Sequence, residues 1–527
     1  MARILIADTL AQQGIDMLSA QHDVTVRTGL SEDELCEAVA EVDALVVRSQ
    51  TQVTARVIDA ATKLQLIGRA GVGVDNIDVE AATRRGVIVV NAPLANTLST
   101  AEHAFGLMLA VARNIPQGHA SLQAGRWDRS KYAGIELAGK TLGVVGLGRI
   151  GTEVANRARA FQMRIVAYDP FVSAERAAAL GVELMDLNAL LAESDFVTLH
   201  AVLHEGTRGL INAERLAKAK KGIRIINAAR GALIDEQALF DAVQSGQVGG
   251  AGIDVFSTEP AVGNILTTSD KIVVTPHLAA STAEAQDRAA WDTAEQVLDV
   301  LAGKPAKFAV NAPLVDPETM AVIGPYLDAA ELAARLAAQL AGGPAEQVRL
   351  QLLGEIGTHE VRPLRAAAIS GLLARASTAN VTVVNADQLA EQHGLRVEME
   401  SGPAREPYAN LVVVQVVRAD GTRTVAATHN GTEVRVVGLD DYQVDISPSQ
   451  APHALMVENV DRPGMIGRVG SMLGGHDVNI RYMSVAPGLA DGRALMVLGV
   501  DRALADDEVS EITALDNVFS ARQIELS

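Results

Sequence analysis

Residues 139–151 read GKTLGVVGLGRIG, and the fold is decided there. The apolar run Leu142–Val145 has the length and composition of a strand buried on both faces. It leads into Gly146, Gly148 and Gly151, spaced GxGxxG, and a helical pattern, TEVANRARAF, follows. In such a unit the first glycine permits a tight turn and the second lets backbone approach a pyrophosphate. The third lets the helix pack close to the strand, and the helix N-terminus favours phosphate charge. A second strand pattern, Met163–Tyr168, ends at Asp169, 23 residues beyond Gly146. An acidic residue at about that distance takes ribose hydroxyls. The combination predicts a dinucleotide-binding unit, and with no arginine directly after Asp169 to welcome a 2′-phosphate, it predicts NAD as the cofactor.

Toward the N-terminus, ARILIAD, DVTVRT, ALVVRS, LQLIGRAG and VIVVNAP are short β-branched runs alternating with helical stretches. Ser31 and Glu34 open one of these as a capping box. The alternation predicts another doubly wound parallel sheet, whose ligands sit at the strands' carboxyl ends. Arg48 and Ser49 fall at one such end. Arg69 and the loop Gly71-Val72-Gly73-Val74-Asp75-Asn76 fall at the next. Two arginines beside a glycine-rich loop predict an anion site.

Toward the C-terminus the strand patterns continue as RIVAYD, FVTLHA, IRIINAA, AGIDVF and IVVTPH. Arg230, Glu259 and His277 stand at or just beyond the ends of the last three. Arginine can hold a substrate carboxylate bidentately and polarise the adjacent carbonyl. Histidine can shuttle a hydroxyl proton near neutral pH. A carboxylate beside it fixes its tautomer and favours the imidazolium. His103 falls within a helical pattern, and no CxxC spacing marks a metal site, so no metal is expected.

These stretches, GRAGVGVDNID, VVGLGRIG, NAARGALIDE, AGIDVFSTEP and TPHLAASTAEAQDR, together resemble the D-isomer-specific 2-hydroxyacid dehydrogenases, and within them the branch acting on 3-phosphoglycerate. The resemblance covers roughly the first 310 residues. It implies NAD-dependent oxidation of 3-phosphoglycerate to 3-phosphohydroxypyruvate, the first step of L-serine biosynthesis. It carries catalytic roles to Arg230, Glu259 and His277. It carries cofactor contacts to Gly146, Gly148, Arg149, Ile150, Gly151, Asp169, Ala228, Asp254 and His277. Arg48, Ser49, Arg69, Gly71, Asn76 and Arg230 match substrate-side positions, and Arg129 matches one that reaches across a dimer. There are departures: no proline follows His200 in HAVLH, Ala279 stands where the family has glycine, and residue 72 is Val.

Beyond a helical run from about Ala285, which should cross back to the first unit, KPAKFAVNAP reads as a linker. Residues 320–375 read as Ala/Leu-rich helix. VTVVNA, LVVVQVVRA, RTVAATH, TEVRVVG and YQVDIS read as strands of a separate α/β domain, similar to the intervening domain of long, actinobacterial-type members of the branch. Residues 453–527 have the β-loop-α-β-β-α-β order of a ferredoxin-like module and resemble an ACT regulatory domain. The resemblance implies L-serine as a feedback inhibitor. Asp461 would accept its ammonium, backbone N–H groups around Gly464 and Gly467 would receive its carboxylate, and Asn479 and Asn459 would complete the site.

The expected architecture is therefore α/β throughout. A substrate-binding unit occupies 1–98 plus 285–315 and a Rossmann NAD-binding unit 99–284, followed by an intervening domain at 316–450 and an ACT domain at 451–527. A net charge of −19 argues against nucleic-acid and anionic-membrane partners. One cysteine, Cys36, excludes an intrachain disulfide framework and fits a cytoplasmic protein. The start, MARILIADTL, has no long apolar core, so no signal peptide is expected. A homotetramer is expected. Two rivals remain: a dehydrogenase of an unphosphorylated 2-hydroxyacid, and an NADH-sensing corepressor on the same fold.

Overall fold

The computed structural model describes residues 1–313, 315–343, 347–376, 381–419, 421–488 and 492–526. In the first sheet, β1 (Arg3–Ile6), β2 (Asp23–Val26), β3 (Ala44–Val47), β4 (Leu66–Arg69) and β5 (Ile88–Asn91) run parallel in the order β2-β1-β3-β4-β5. Ser31 caps its helix as expected: its backbone N–H donates to Glu34 at 2.8 Å and its hydroxyl accepts from the Glu34 N–H. The helix Ala283–Leu301 crosses back onto this sheet, where its backbone passes so close to Gly14 that a Cβ there would meet Ala290 at 3.0 Å. The stretch read as a linker is pinned instead. Val310 N–H donates to Val89 O, and the Asn311 side chain accepts from Val89 N–H.

The second sheet comprises β6 (Thr141–Val145), β7 (Arg164–Tyr168), β8 (Glu183–Leu184), β9 (Phe196–Leu199), β10 (Ile223–Asn227), β11 (Val248–Ile253) and β12 (Ile272–Val274). All are parallel, in the order β12-β11-β10-β9-β6-β7-β8. The direction of winding reverses between β6 and β9, which opens a crevice at their carboxyl ends. The helix Arg149–Ala160 starts there. The three glycines meet their stated needs. Gly146 has φ +92°, and a Cβ on it would lie 2.8 Å from the His200 carbonyl. A Cβ on Gly151 would lie 2.1 Å from Gly146 O, while Gly148 faces open space.

The third sheet holds β13 (Gln347–Gly354), β14 (Arg396–Gly402), β15 (Asn410–Arg418), β16 (Gly421–His429), β17 (Val434–Leu439) and β18 (Tyr442–Ile446). Only the β13–β14 pair is parallel. Two expectations fail here. The stretch 320–375 is not all helix, because β13 interrupts it, burying Val348, Leu350 and Leu352 on one face. VTVVNA is no strand. Its Thr382 N–H donates to Asn385 and the Thr382 hydroxyl to Gly86 O, making a turn that touches the first unit.

The last sheet, β19 (His453–Val460), β20 (Ile480–Pro487), β21 (Arg493–Val500) and β22 (Val518–Glu525), is antiparallel in the ferredoxin-like order β20-β21-β19-β22. Its helices Met465–Gly475 and Asp506–Thr513 cover Leu455, Val457, Met496 and Leu498 on one face. The other face carries Ala454, Val497 and Ile524 into the core of the third sheet, under the helix Leu327–Ala341. Arg335 and Arg522 tie the seam by donating to Leu526 O and Leu340 O. Among the described residues no helix is long and apolar enough to cross a membrane.

Candidate active site

A cleft of about 630 Å³ lies between the first two sheets. From the first come Arg48, Ser49, Arg69, Gly71, Asp75 and Asn76. From the second come Arg230, Glu259 and His277. Local chemistry puts the arginines there. The Arg69 guanidinium folds back over Gly71, where a Cβ would sit 1.5 Å from Nη1, and Arg230 passes over Gly73, where a Cβ would sit 2.0 Å from Nη2. Side chains at either glycine would block the cationic groups. Arg69 is pulled down to about 10 by its burial first and then by the positive charge of Arg230 and Arg48. Among the described residues its buried Nε has no hydrogen-bond partner. Nε and Nη2 of Arg230 meet Asp75 at 3.2 and 3.1 Å across the cleft, so the fork is engaged by a carboxylate from the first unit.

His277 Nδ1 lies 2.8 Å from Glu259 Oε2. A carboxylate only accepts, so Nδ1 carries a proton, which leaves Nε2 as the ring nitrogen available to the cleft. Both side chains are half exposed, at 48% and 36%. His277 has φ +53°, a left-handed conformation uncommon for a non-glycine residue.

Several expected contacts take a different form. Asp254 is fully buried, and its carboxylate accepts from Thr275 Oγ1 and the N–H groups of Leu278 and Ala279. It supports the His277 loop and faces no open space. Burial alone would raise it; the hydrogen bonds from His103, Thr275, Leu278 and Ala279 outweigh that and hold it low. The Asn76 amide is spent on Arg48 O and Thr51 O at 2.8 and 2.7 Å, so it shapes the loop. Arg129 is exposed on a turn and does not line the cleft of its own chain. Sequence reasoning gave no role to Asp75, which was quoted only as part of its loop, or to His103 and Thr275. His103 lies mid-helix, and nothing local signals a partner 151 residues away in Asp254.

The residues around the crevice fit a dinucleotide. Gly146, Gly148 and Gly151 leave the backbone bare. Arg149 and Ile150 open a helix whose N–H groups point at the turn. Asp169 accepts from Leu147 and Phe171 N–H at 2.8 and 2.9 Å and keeps lone pairs for ribose hydroxyls. Ala228 is buried at the end of β10.

In the last sheet the register separates two of the expected effector residues. Asp461 N–H donates to Gly492 O, at the Arg493 end of β21, whereas Asn479 pairs with Asp501 beyond its Val500 end. Along the 8 residues of β21 that is roughly 25 Å. Asn479 therefore does not face Asp461 within one chain. Asn459 is buried, its Nδ2 donating to Val460 O, and its Oδ1 has no partner among the described residues. In the intervening domain Arg435 is paired with Glu433 and Asp445.

Comparison with known proteins agrees with this architecture. Residues 105–279 match the family model of the D-isomer specific 2-hydroxyacid dehydrogenase, NAD binding domain, the class that the fold and cleft define. Residues 322–440 match the D-3-phosphoglycerate dehydrogenase intervening domain, and 453–517 the ACT domain. D-3-phosphoglycerate dehydrogenase of Synechocystis is 44% identical over 100% of this chain and 95% of its own length. That of Mycobacterium tuberculosis is 43% identical over 99% of each. Among solved structures, D-lactate dehydrogenase of Aquifex aeolicus, complexed with NAD and lactic acid, superposes with a TM-score of 0.54 at 26% identity, covering 59% of this chain and 100% of that one. The chain belongs to the D-3-phosphoglycerate dehydrogenase family. It carries that family's NAD-binding domain and is an NAD-dependent oxidoreductase.

Proposed function

We propose that the protein oxidises 3-phospho-D-glycerate at C2 to 3-phosphohydroxypyruvate, opening L-serine biosynthesis, and that L-serine inhibits it. The observation that carries the substrate is the convergence of Arg48, Arg69 and Arg230 on one cleft beside the His277–Glu259 pair. Bound NAD⁺ would accept the C2 hydride. Arg230 holds the carboxylate, and His277 Nε2 takes the C2 hydroxyl proton while Glu259 stabilises the imidazolium. Arg48 and Arg69, with Arg129 of a neighbouring copy, supply the cations a phosphate dianion requires; a single carboxylate needs only one. The crowding of positive charge around Arg69 supports a multiply charged substrate.

L-serine would bridge two copies of the ACT module, since Asp461 and Asn479 stand at opposite ends of one sheet and can approach a common ligand only from different chains. Gly464 and Gly467 offer their N–H groups to its carboxylate. The assembly is read as a homotetramer, and the single cysteine fits the cytoplasm. The test is NADH formation from 3-phosphoglycerate compared with glycerate, glycolate and lactate. Strong preference for the phosphorylated acid supports the reading. Equal rates with an unphosphorylated acid favour the broader hydroxyacid dehydrogenase, and no turnover with any favours an NADH sensor.

A further inference from the structure

We infer that His103 is a positioning residue that acts through Asp254 and Thr275 on the loop carrying His277. His103 lies in the second turn of the helix Thr97–Arg113, which connects the first sheet to the second. Its Nε2 is 3.1 Å from both Asp254 Oδ1 and Thr275 Oγ1. The Thr275 hydroxyl has one proton, and it is given to Asp254 Oδ1 at 2.6 Å. The Asp254 carboxylate only accepts. His103 Nε2 must therefore carry a proton and donate it into this pair.

Asp254 in turn brackets the loop. Its carboxylate receives the N–H groups of Leu278 and Ala279, and its backbone carbonyl receives the N–H of His277 at 2.8 Å. The loop is thus held on both sides of a residue in the left-handed region, a conformation that persists only when its surroundings over-determine it. Removing the His103 donor leaves a fully buried carboxylate with one bond fewer. The loop is then less constrained, and the His277 ring is less well aimed. Asn96, immediately before the same helix, lines the cleft. The bond therefore also ties the connection between the two sheets to the geometry of the imidazole.

The inference rests on the reading of His277 as the base, and the test separates the two. In His103→Leu the donor is lost. In His103→Gln an amide nitrogen can stand where Nε2 stood. In His103→Asn the side chain is polar but too short. Two measurements are made on the full-length protein. The first is kcat and KM with 3-phosphoglycerate. The second is the rate at which diethyl pyrocarbonate modifies His277 in the protein without cofactor, read by peptide mass spectrometry against the exposed-loop His204. The expected result is a fall in kcat on the order of 10- to 100-fold for Leu and Asn, the scale of a small misplacement, with little change in KM and a several-fold change in relative His277 modification. Gln should restore both to within about threefold of the unmodified protein. Unchanged modification and kcat in Leu and Asn overturn the inference, and so does a Gln variant as impaired as Leu, which would mean ring packing alone. Should Leu fail to fold, Asn and Gln decide by the same criteria. The modification arm reads ring placement without turnover, so its outcome stands even if His277 proves not to be the base.

Discussion

At the scale of the residue, the His277–Glu259 pair and the guanidinium cluster make separable predictions. Replacing His277 with alanine should lower turnover by about 10²–10⁴, the usual worth of general acid–base catalysis, with the fold intact by circular dichroism. Arg69→Ala should raise KM for 3-phosphoglycerate far more than for glycerate; an equal rise would assign Arg69 to the carboxylate. His200 makes a different kind of prediction. Burial pulls it down from 6.5 to about 4, and its Nδ1 has no partner among the described residues. Folded protein therefore keeps it neutral where the unfolded chain takes up a proton. This contribution to stability is whole above pH 6.5 and is lost as pH falls toward 4, by on the order of 3 kcal/mol. Urea unfolding across that window should show the loss, and His200→Leu should remove that part of it. The types of these residues were legible in the sequence because each stands at a strand end. Asp254 was legible too, but its task was not: burial and four donors make it a support for the loop, and that depends on a helix far away in sequence.

At the scale of the element, the glycine turn was the most readable part, because each glycine answers a local steric demand. Gly151→Ala would set a Cβ against a backbone oxygen and push the helix Arg149–Ala160 off β6. The expected cost is about 1–3 kcal/mol, the range for overpacking, together with weaker NAD binding. Chemical denaturation and a titration with NAD would measure the two effects. The intervening domain was less readable. In QVRLQLLG the alternation of Val348, Leu350 and Leu352 marks β13, but the surrounding Ala/Leu helices hid its period. VTVVNA failed for the converse reason. Its β-branched residues suit a strand, yet hydrogen bonds to Asn385 and to Gly86 of another unit hold it as a turn.

At the scale of the whole molecule, the fourth sheet has its own core on one face and shares the core of the third sheet on the other. Ala454, Val497 and Ile524 of the ACT sheet lie in the same cluster as Leu332, Leu336 and Leu340 of the helix Leu327–Ala341. A rearrangement of the ACT sheet would therefore bear directly on the intervening domain, whose Thr382 turn touches the first unit through Gly86. A ligand that binds one arrangement better shifts the population toward it by that affinity difference alone. Asp461→Ala should leave turnover without serine unchanged and abolish inhibition by serine. Serine should raise the thermal midpoint of the unmodified protein. If it neither inhibits nor stabilises, the ACT module is a structural element only.

The element order of the first two units, the dinucleotide turn, NAD as the cofactor and the residue types at the strand ends were determined by the sequence itself, since strand and helix periods and glycine geometry act over a few residues. Tertiary structure alone decided which of those residues meet. Arg230 faces Asp75 from the other sheet, and His103 reaches Asp254 across 151 positions. Asp461 and Asn479, close in sequence, stand at opposite ends of β21. The ACT sheet buries its second face in its neighbour's core. Such meetings follow from strand order and register, set by burying apolar faces over the whole chain, and no local pattern records them.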